Sequence, residues 1–430
     1  MCLRLDVPND PLNQSIGPDE ERCSDDPYRC FPVADPFAVH PVGAGGFDAD
    51  IGEEEEAIKS LGGEIVFTED IVFSSSSLIN KHIPTFSDQV NEYLAGFKQR
   101  HSSSGVIRSV ENAQGLNVLV LGETIIDEYR YCEQMGKSAK EPILAVRYLD
   151  TEIFAGGVLA IANHVAALCD RVSVLTFLGT EDSREEFVRE HLSEKVEPMF
   201  LYKENSPTIV KSRFVESYLS QKLFEVYQMK NWDLSEVESN QLCAKLEAVL
   251  PQYDLVIVAD YGHGMMTPRA IELLCAKANF LAINTQANAG NKGFNTVSKY
   301  PRADFISLAG DELELEERNY RGTLREKMLD VSSRLHCGQI LITMGRDGNI
   351  AYRDGEGFFE APALSSQVVD RMGAGDAVLS LASMCALTQV PMEVLSLVAN
   401  AVGAQAAGTM GNRHCIDKVS LYRHIESLLK

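Results

Sequence analysis

The sequence predicts an α/β fold with a central, mostly parallel β-sheet flanked by helices. Short apolar segments recur between residues 116 and 344, and helical patterns separate most of them. Apolar segments that lack an alternating polar face are typical of parallel strands, which are buried on both sides. Glycines and aspartates follow several of these segments, and ligands bind at the carboxyl ends of such strands. The pattern therefore predicts both the fold and the edge of the sheet that carries a site.

The predicted strands of the main sheet alternate along the chain with predicted helices. Strands are predicted at residues 116–122, 172–177, 255–259, 280–284, 305–308 and 340–344. Helices are predicted at residues 158–168, 239–250, 268–278 and 323–335. Residues 144–154 and 208–226 alternate more between apolar and polar side chains, which is typical of exposed strands. We expect these two segments to form a small β-sheet lid over the site.

The N-terminal part of the chain is predicted to be a short α/β extension, residues 1–110, ahead of a second domain at residues 116–430. Within it we expect an acidic helix at 51–61, a short strand at 64–68 and a helix at 84–100. The polar segment 101–105 predicts a linker, which places the domain boundary between about 101 and 115.

Length and charge limit the classes of function. A chain of 430 residues is too long for one typical core, so two domains are expected. The formal net charge is −23 at pH 7. Nucleic acids and anionic membranes bind basic surfaces, so we expect neither as a partner. Local cations could still bind a phosphorylated small substrate.

The ten cysteines are scattered and form no C-x-x-C pair. Several lie within apolar segments, as Cys275 and Cys385 do, which is typical of buried thiols. We therefore expect mostly reduced cysteines rather than a disulfide framework. The N-terminus lacks the basic and apolar regions of a signal peptide, and no apolar run is long enough to cross a bilayer. Together these features predict a cytoplasmic protein.

The most informative motif is Asp-Arg-Met-Gly-Ala-Gly-Asp, from Asp370 to Asp376, which precedes an apolar run that predicts a buried helix. Glycine lets the backbone approach a ligand closely. A helix N-terminus offers free N–H groups and the positive end of the helix dipole, which suit a phosphate. Asp376 places a carboxylate on the same turn, as phosphoryl transfer to a hydroxyl requires. Taken alone, the motif is equally consistent with a glycine turn capped by an aspartate.

Further singular residues follow the predicted strands in chain order. They are Asp127, Gly156–Gly157, Asp260, Gly345 and Gly348. An early Gly-Gly pair combined with a late D-x-x-G-A-G-D motif resembles the ribokinase-like PfkB family of ATP-dependent sugar kinases. The resemblance covers residues 116–430, roughly three-quarters of the chain. It implies a ribokinase-like fold.

The resemblance also implies roles for the matched residues. Asp376 would be the general base, and the amides of Gly373, Ala374 and Gly375 would form an anion hole for the transferred phosphoryl group. Substrate binding is implied for Asp127, Gly156, Gly157, Lys211, Arg213 and Asp260. Nucleotide binding is implied for Asn284, Thr343, Gly345, Gly348, Asn400 and Gly403. Glu312 would help to place Mg²⁺ through water, so the implied cofactors are ATP and Mg²⁺.

Within this family, the chain is similar to the kinases that phosphorylate heptose 7-phosphate. The similar segments are 122–131, 155–168, 206–213 and 260–264. Lys211 and Arg213 supply cations that could hold a phosphorylated sugar. The alternative is a solvated strand face with two exposed charges.

The chain departs from the family pattern at several positions. Ala160 stands where the family often has a sugar-binding asparagine, and Ala309 replaces the asparagine of the N-x-x-E motif. His263 stands where the heptose kinases usually have lysine, and Asn284-Thr285-Gln286 stands in place of Asp-Pro-Lys. The following run, which contains Asn288, Asn291 and Asn295, is either a loop or a modified contact with substrate or nucleotide.

Residues 62–80 resemble the C-terminal end of cytidylyltransferase-like domains, to which heptose kinases are often fused. The H-x-G-H motif of nucleotidyl transfer is missing, because His40 and His82 stand alone. We interpret residues 1–110 as a degenerate remnant that serves packing, oligomerisation or regulation.

Three functions stay open from the sequence. The first is ATP-dependent phosphorylation of a sugar or sugar phosphate, most similar to heptose 7-phosphate, by an enzyme expected to be a homodimer because lid strands of this fold often pair between subunits. The second is a kinase-fold protein that binds ligand or regulates a partner without catalysis, which Ala160, Ala309 and the Asn284 segment motivate. The third is a nucleoside kinase, which predicts an apolar base pocket in place of Lys211 and Arg213.

Overall fold

The computed structural model of the protein describes residues 86–230, 233–319, 321–364 and 368–430. The chain divides into two units, Met1–Ser74 and Ser75–Lys430, and the first lies wholly outside the described residues. The helix predicted at 51–61, the strand predicted at 64–68 and the segment that resembles a cytidylyltransferase also lie outside them.

The described residues form thirteen strands and eleven α-helices. The strands are β1 (Asn117–Gly122), β2 (Thr124–Lys137), β3 (Leu144–Gly157), β4 (Arg171–Gly179), β5 (Val196–Lys203), β6 (Ile209–Glu216), β7 (Gln221–Gln228), β8 (Leu255–Asp260), β9 (Leu281–Thr285), β10 (Phe305–Ala309), β11 (Gln339–Thr343), β12 (Asn349–Arg353) and β13 (Gly357–Ala361). The helices are α1 (Asp88–Arg100), α2 (Ser103–Glu111), α3 (Val158–Ala166), α4 (Glu185–His191), α5 (Glu236–Val249), α6 (Pro268–Lys277), α7 (Gly310–Glu317), α8 (Leu324–Arg334), α9 (Ala374–Leu387), α10 (Met392–Ala407) and α11 (Lys418–Leu428).

Nine strands form the main sheet, in the order β13-β12-β11-β10-β9-β8-β1-β4-β5. All pairs from β11 across to β5 are parallel, and β12 and β13 add an antiparallel edge. The predicted, mostly parallel sheet is therefore confirmed. The sequence prediction lacks β5, β12 and β13, because these edge strands mix polar and apolar side chains instead of forming one apolar run.

The core lies on both faces of this sheet. In β1, Val118 and Val120 pack into one apolar cluster, while Leu119 and Leu121 pack into a second. Helices α3, α9 and α10 cover the first face, and α5, α6 and α8 cover the second. Burial of alternate residues on opposite faces explains why the strand reads as a continuous apolar run. The N-terminus of α9 lies at the carboxyl edge of the sheet, because Asp376 in its first turn contacts Tyr261, which directly follows β8.

A second sheet forms the lid, in the order β3-β2-β6-β7. The segment 208–226, predicted to lie in the lid sheet, comprises two antiparallel strands, β6 and β7, joined by a turn at 217–220. β2 pairs in parallel with β6, so that Asp127 lies opposite Lys211 and Tyr129 opposite Arg213. This register brings the polar residues of β2 and β6 together.

The linker predicted at 101–105 is wrong in part, because α2 begins within this segment, at Ser103. The Ser102 side chain caps this helix by accepting from the Gly105 amide at 3.1 Å. Val106 and Val110 of α2 are buried in the core shared with the main sheet. The domain boundary between about 101 and 115 stays a prediction. No helix among the described residues is both long and apolar enough to cross a membrane.

Candidate active site

Asp370, the first residue of the D-x-x-G-A-G-D segment, holds this segment in its conformation through four hydrogen bonds. The Asp370 carboxylate accepts hydrogen bonds from the Tyr129 hydroxyl at 2.8 Å and from the Lys222 ammonium at 2.5 Å. It also accepts from the backbone N–H of Met372 and of Gly411, each at 3.1 Å. Burial raises the pKa of Asp370, but these donors outweigh it and hold the pKa below its usual range. Since Lys222 lies on β7, this carboxylate connects the lid to the loop.

The two glycines of this loop have different physical roles. Gly373 has φ of 78° and caps α9, and a Cβ there would overlap the Asn412 side chain. A Cβ on Gly375 would meet no described atom within 4 Å. Neither the Gly375 nor the Asp376 amide donates to a described residue. Two free N–H groups beside open space at a helix N-terminus fit an anion.

Asp376 lies in the first turn of α9, and its Oδ1 atom accepts a hydrogen bond from the Tyr261 hydroxyl at 2.8 Å. Burial raises the pKa of this carboxyl to about 7, and the negative charge of Asp127 adds to the rise. The Tyr261 hydrogen bond and the Lys211 charge act in the opposite direction. A carboxylate whose pKa lies near neutral pH suits a general base.

Asp127 is held in place by its neighbours on the lid and on the loop before α11. Its Oδ1 atom pairs with Arg213 Nη1 at 2.5 Å, and its Oδ2 atom accepts from Asn412 Nδ2 at 3.4 Å. A Cβ on Gly156 would overlap this carboxylate, which gives the Gly-Gly pair a steric reason. Arg213 also pairs with Glu225 at 3.3 Å.

Neither cation of β6 lies on a solvated face, so that alternative is wrong. Lys211 is 4% exposed and Arg213 is 3% exposed. The Lys211 ammonium lies 5.0 Å from the ring centroid of Tyr227 and 6.0 Å from that of Tyr261. Burial lowers the pKa of Lys211, although the Asp127 charge opposes the change. Arg213 thus pairs with Asp127, whereas Lys211 lies beside the rings of Tyr227 and Tyr261, near Asp376.

The predicted substrate-binding role of Asp260 is not supported, because its carboxylate is enclosed by other residues of the protein. It is 1% exposed. Oδ2 accepts from the Tyr300 hydroxyl at 2.6 Å and pairs with Lys299 at 2.5 Å, while Oδ1 accepts from the Gly262 amide at 3.1 Å. These partners satisfy the buried charge internally, so Asp260 supports the turn after β8.

The amide-rich run is a loop that holds the same turn. Asn288 Nδ2 and Asn291 Nδ2 donate to the Tyr261 carbonyl at 2.7 and 3.2 Å. Asn295 Nδ2 donates to the Asp260 carbonyl at 2.7 Å. Of the two alternatives from the sequence, the described contacts agree with the loop. Asn284 Nδ2 donates to the Ser307 carbonyl at 2.8 Å, between neighbouring strands.

Glu312 caps its own helix. Its Oε2 atom accepts from the Ala309 amide at 2.8 Å, and its Oε1 atom accepts from the Ala287 amide at 3.2 Å. Burial raises the pKa of Glu312 to about 7, with a further contribution from Asp376. Glu312 therefore lies close enough to Asp376 for the two charges to interact. Each oxygen retains a second lone pair for water.

The predicted nucleotide residues fall into two groups. Gly345 has φ of 58°, and a Cβ there would meet no described atom within 4 Å, so its backbone is open to a ligand. Gly348 has φ of 94°, and a Cβ would overlap the Ala361 carbonyl. Asn400 Nδ2 donates to the carbonyls of Ala361 and Pro362 at 3.1 Å, so it supports the end of β13.

Thr343 and Gly403 are placed by the sheet and by helix packing. The Thr343 hydroxyl lies 3.5 Å from the Leu308 carbonyl, between β10 and β11. A Cβ on Gly403 would lie 3.3 Å from a Val378 methyl group, so α9 and α10 approach closely there. Contacts of these residues with a nucleotide stay a prediction.

A cavity of about 270 Å³ lies between the lid and the ends of β4 and β5. Its lining includes Lys203, Lys230 and His263, together with residues 206–208. Burial lowers the pKa of Lys203, and burial and two neighbouring lysines lower the pKa of His263 to about 3. His263 is therefore neutral at neutral pH, and the lysines supply the positive charge.

Sequence reasoning missed four residues of this site, namely Glu123, Lys203, Tyr261 and Asn412. Glu123 accepts from the backbone N–H of Tyr261, His263 and Met265 at 3.0, 3.0 and 3.3 Å. A signal existed for Glu123 and Tyr261, since each directly follows a buried strand. Nothing local marks Asn412, whose partner Asp127 lies 285 residues earlier.

The pattern of the pfkB family carbohydrate kinases matches residues 116–419, well over half of the chain. The chain belongs to the PfkB family of carbohydrate kinases. The resemblance predicted from the Gly-Gly pair and the D-x-x-G-A-G-D motif is thereby confirmed. The matched region begins at residue 116, so the N-terminal resemblance to a cytidylyltransferase stays a prediction.

Curated relatives of this PfkB-family chain include proteins named Bifunctional protein HldE. The relative from a Nitratiruptor species is 24% identical over 298 residues, covering 68% of this chain and 62% of that protein. The relative from Campylobacter jejuni is 24% identical over 318 residues, covering 72% of this chain and 65% of that protein. The chain therefore spans less than two-thirds of the length of these relatives.

Solved structures support the ribokinase-like fold. Escherichia coli phosphofructokinase-2 in complex with fructose-6-phosphate has a TM-score of 0.58 at 13% identity, covering 72% of this chain and 99% of that chain. Arabidopsis thaliana ribokinase complexed with ribose and ATP has a TM-score of 0.54 at 15% identity, covering 73% and 99%. At these identities the likeness concerns the fold alone.

Proposed function

We propose that this kinase transfers the terminal phosphoryl group of ATP to a hydroxyl of a phosphorylated sugar similar to heptose 7-phosphate, with Asp376 as the general base. The observation that carries the proposal is the first turn of α9. There, one carboxylate of near-neutral pKa and two unbonded amides share a single turn. A base and an anion cradle side by side are the parts that phosphoryl transfer to a hydroxyl needs.

In this mechanism, Asp376 accepts the proton of the attacking hydroxyl, and the amides of Gly375 and Asp376 donate to the transferred phosphoryl oxygens. Asp127, fixed by Arg213, orients the sugar through its hydroxyl groups. Lys211 lies near both carboxylates and offsets the negative charge that gathers between donor and acceptor.

Mg²⁺ fits the site only in combination with the nucleotide. The described part of the chain contains no group of three or more His, Cys, Asp or Glu side chains placed to hold a metal ion. Mg²⁺ is commonly held by one or two carboxylates together with substrate phosphates and water. Glu312, with a free lone pair on each oxygen, is the residue we propose for the water-mediated contact. The ion would neutralise charge on the phosphates.

A phosphorylated acceptor is favoured over a plain sugar by the cavity beneath the lid. Lys203 and Lys230 line this cavity. Lys230 also forms an ion pair with Glu181, with 3.1 Å between Nζ and Oε1. Ammonium groups bind phosphate as point charges. The name Bifunctional protein HldE of the curated relatives agrees with the resemblance to heptose 7-phosphate kinases, which are often fused to a cytidylyltransferase.

Ligand binding without catalysis is the second candidate. Ala160 is buried on α3 and cannot donate to a sugar hydroxyl as the family's asparagine does, and Ala309 has lost its amide. The intact arrangement of Asp376 favours catalysis. The nucleoside kinase is disfavoured, because Lys211 and Arg213 are buried where that function needs an apolar base pocket.

The proposal predicts ATP-dependent ADP formation with a heptose 7-phosphate-like sugar and much less with unphosphorylated sugars. Lys203→Met is expected to raise KM for the sugar phosphate by about tenfold or more, because one charge-assisted contact is lost. Lys195→Met is the matched control, since Lys195 pairs with Asp170 on the exposed surface. A coupled ADP assay over a panel of sugars and sugar phosphates measures both. Turnover with nucleosides, or ATP binding without turnover on any sugar, would contradict the proposal.

We also propose that the lid pairs with a second copy. β3 and β7 are its edges, and the lid exposes the side chains of Tyr148, Leu149, Phe224 and Val226. Apolar groups on open strand edges are typical of a surface covered in an assembly. Sedimentation is expected to give a dimer for the native chain and a monomer for Tyr148→Glu. Val237→Glu, an exposed position on α5, is the control that should stay dimeric. A monomeric native chain would refute the pairing.

The seven described cysteines are free thiols. Together with the use of ATP, they support the cytoplasm as the compartment of this enzyme.

A further inference from the structure

Tyr261 connects two distant parts of the site. It directly follows β8, it is 2% exposed, and its hydroxyl donates to Asp376 Oδ1 at 2.8 Å. The two residues are 115 positions apart in the chain. The hydrogen bond therefore joins the carboxyl edge of the sheet to the first turn of α9.

The phenol can only donate in this contact. Burial raises the pKa of Tyr261 well above its usual value, and the Asp376 charge adds to the rise. A protonated phenol facing a carboxylate oxygen occupies Oδ1 and leaves Oδ2 for the acceptor hydroxyl. Tyr261 is consequently unsuited to be a base itself.

The backbone of Tyr261 is fixed on both sides. Its N–H donates to Glu123 Oε2 at 3.0 Å, and its carbonyl accepts from Asn288 Nδ2 at 2.7 Å and from Asn291 Nδ2 at 3.2 Å. The next residue, Gly262, has φ of 71°, and a Cβ there would lie 2.7 Å from Asn291 Nδ2. The turn is therefore held by side chains from the end of β1 and from the loop after β9.

We propose that Tyr261 is a positioning residue for Asp376, and that Asn288 and Asn291 hold Tyr261 in the orientation that serves the base. This inference rests on the proposed role of Asp376. It gives the asparagine-rich run a function in the reaction although the run is a loop that supports the turn after β8.

The hydrogen bond from Tyr261 also affects the pKa of Asp376. The pH dependence of turnover therefore distinguishes a positioning role of Tyr261 from a purely structural one. Asp376 must be ionised to accept a proton, so turnover falls as pH decreases through its pKa of about 7. The groups that act on it are Asp127 from β2, Lys211 from β6, Tyr261 after β8 and Glu312 from α7. Among these, Tyr261 and Lys211 lower the pKa of Asp376. Loss of the Tyr261 hydroxyl therefore raises that pKa.

Tyr261→Phe is expected to shift the acid limb of the kcat profile upward by about one pH unit, since a hydrogen bond to a charged group is worth roughly that much. The loss of kcat is largest below neutral pH and small well above it, while KM for ATP is unchanged. Tyr202→Phe is the matched control, because it removes a tyrosine–carboxylate hydrogen bond of 2.7 Å, to Glu185, at an exposed position away from the turn after β8. It should not move the limb.

Asn288→Ala provides a second variant that keeps the phenol. It removes the contact with the Tyr261 carbonyl and the two contacts in which Asn288 Oδ1 accepts from the Gly290 and Asn291 amides, and it should move the limb in the same direction by less. A uniform loss of kcat at all pH values in both variants, or an equal shift in Tyr202→Phe, would overturn the inference. Asp376→Asn separates the two levels of the argument. If it retains turnover, the proposed base is wrong. If it is inactive while neither Tyr261→Phe nor Asn288→Ala moves the limb, only the positioning role is wrong.

Discussion

Asp376→Asn is expected to lower turnover by about 10² to 10⁴-fold, the range typical of a lost general base, while ATP binding stays nearly unchanged. The amide that replaces the carboxylate can still accept from Tyr261, so the first turn of α9 keeps its shape. It cannot take a proton from the acceptor hydroxyl. Steady-state kinetics together with calorimetric titration of ATP separates the two effects.

The matched control is Asp311→Asn, an exposed carboxylate in the first turn of α7. It makes the same chemical change at another helix N-terminus and is expected to leave kcat within a factor of about two, as surface substitutions usually do. Substantial residual turnover in Asp376→Asn would assign the base to another group. Equal losses in both variants would indicate a general effect of charge.

Gly375→Val is expected to lower turnover by about 10² to 10³-fold without a loss of stability, because its side chain enters the space reserved for the phosphoryl group. A Cβ at this position meets no described atom within 4 Å, so the new side chain begins in open space. Measurement of kcat and of the thermal midpoint on the same preparation tests both halves of the expectation.

Two glycine variants serve as controls for this result. Gly115→Val makes the same change at a remote position where a Cβ also meets no described atom, and it should affect neither quantity. Gly373→Ala should lose stability, since a Cβ overlaps Asn412 and φ is 78°. If Gly375→Val retains native kcat, the cradle does not hold the transferred group.

The parts of the fold that could be predicted are those in which one local pattern decides the structure. β1 and β8 are buried on both faces, so each forms an apolar run that the sequence displays openly. α2 could not be predicted, because Ser-Ser-Ser-Gly is typical of a linker and only burial of Val106 and Val110 makes the segment helical. β5 has the same difficulty at the edge of the sheet.

The candidate site divides in a similar way. Asp376 and Gly375 could be proposed from the sequence because a carboxylate and two glycines share one short motif. Asp260 was misassigned, because its place at a strand end does not reveal that Tyr300 and Lys299 enclose it. The sequence shows that a residue lies at the end of a strand. It does not show which side chains from other parts of the chain will contact that residue.

The lid shows the same limit with two residues of one strand. Lys211 and Arg213 are two positions apart on β6 and therefore point to the same face. The register with β2 and the reach of each side chain decide that Arg213 pairs with Asp127 while Lys211 lies against Tyr227 and Tyr261. The sequence of β6 alone does not show which of the two residues forms the ion pair and which packs against the aromatic rings.

Phosphorus NMR of the native chain with ATP, Mg²⁺ and heptose 7-phosphate tests the central claim most directly, because it observes the transferred group itself. The account predicts one new phosphate ester on the sugar for each ADP formed, and no new ester with Asp376→Asn over the same time. If ATP and the sugar phosphate both bind to the native chain and no new ester forms, the protein is a binding protein on a kinase fold, and the account is wrong.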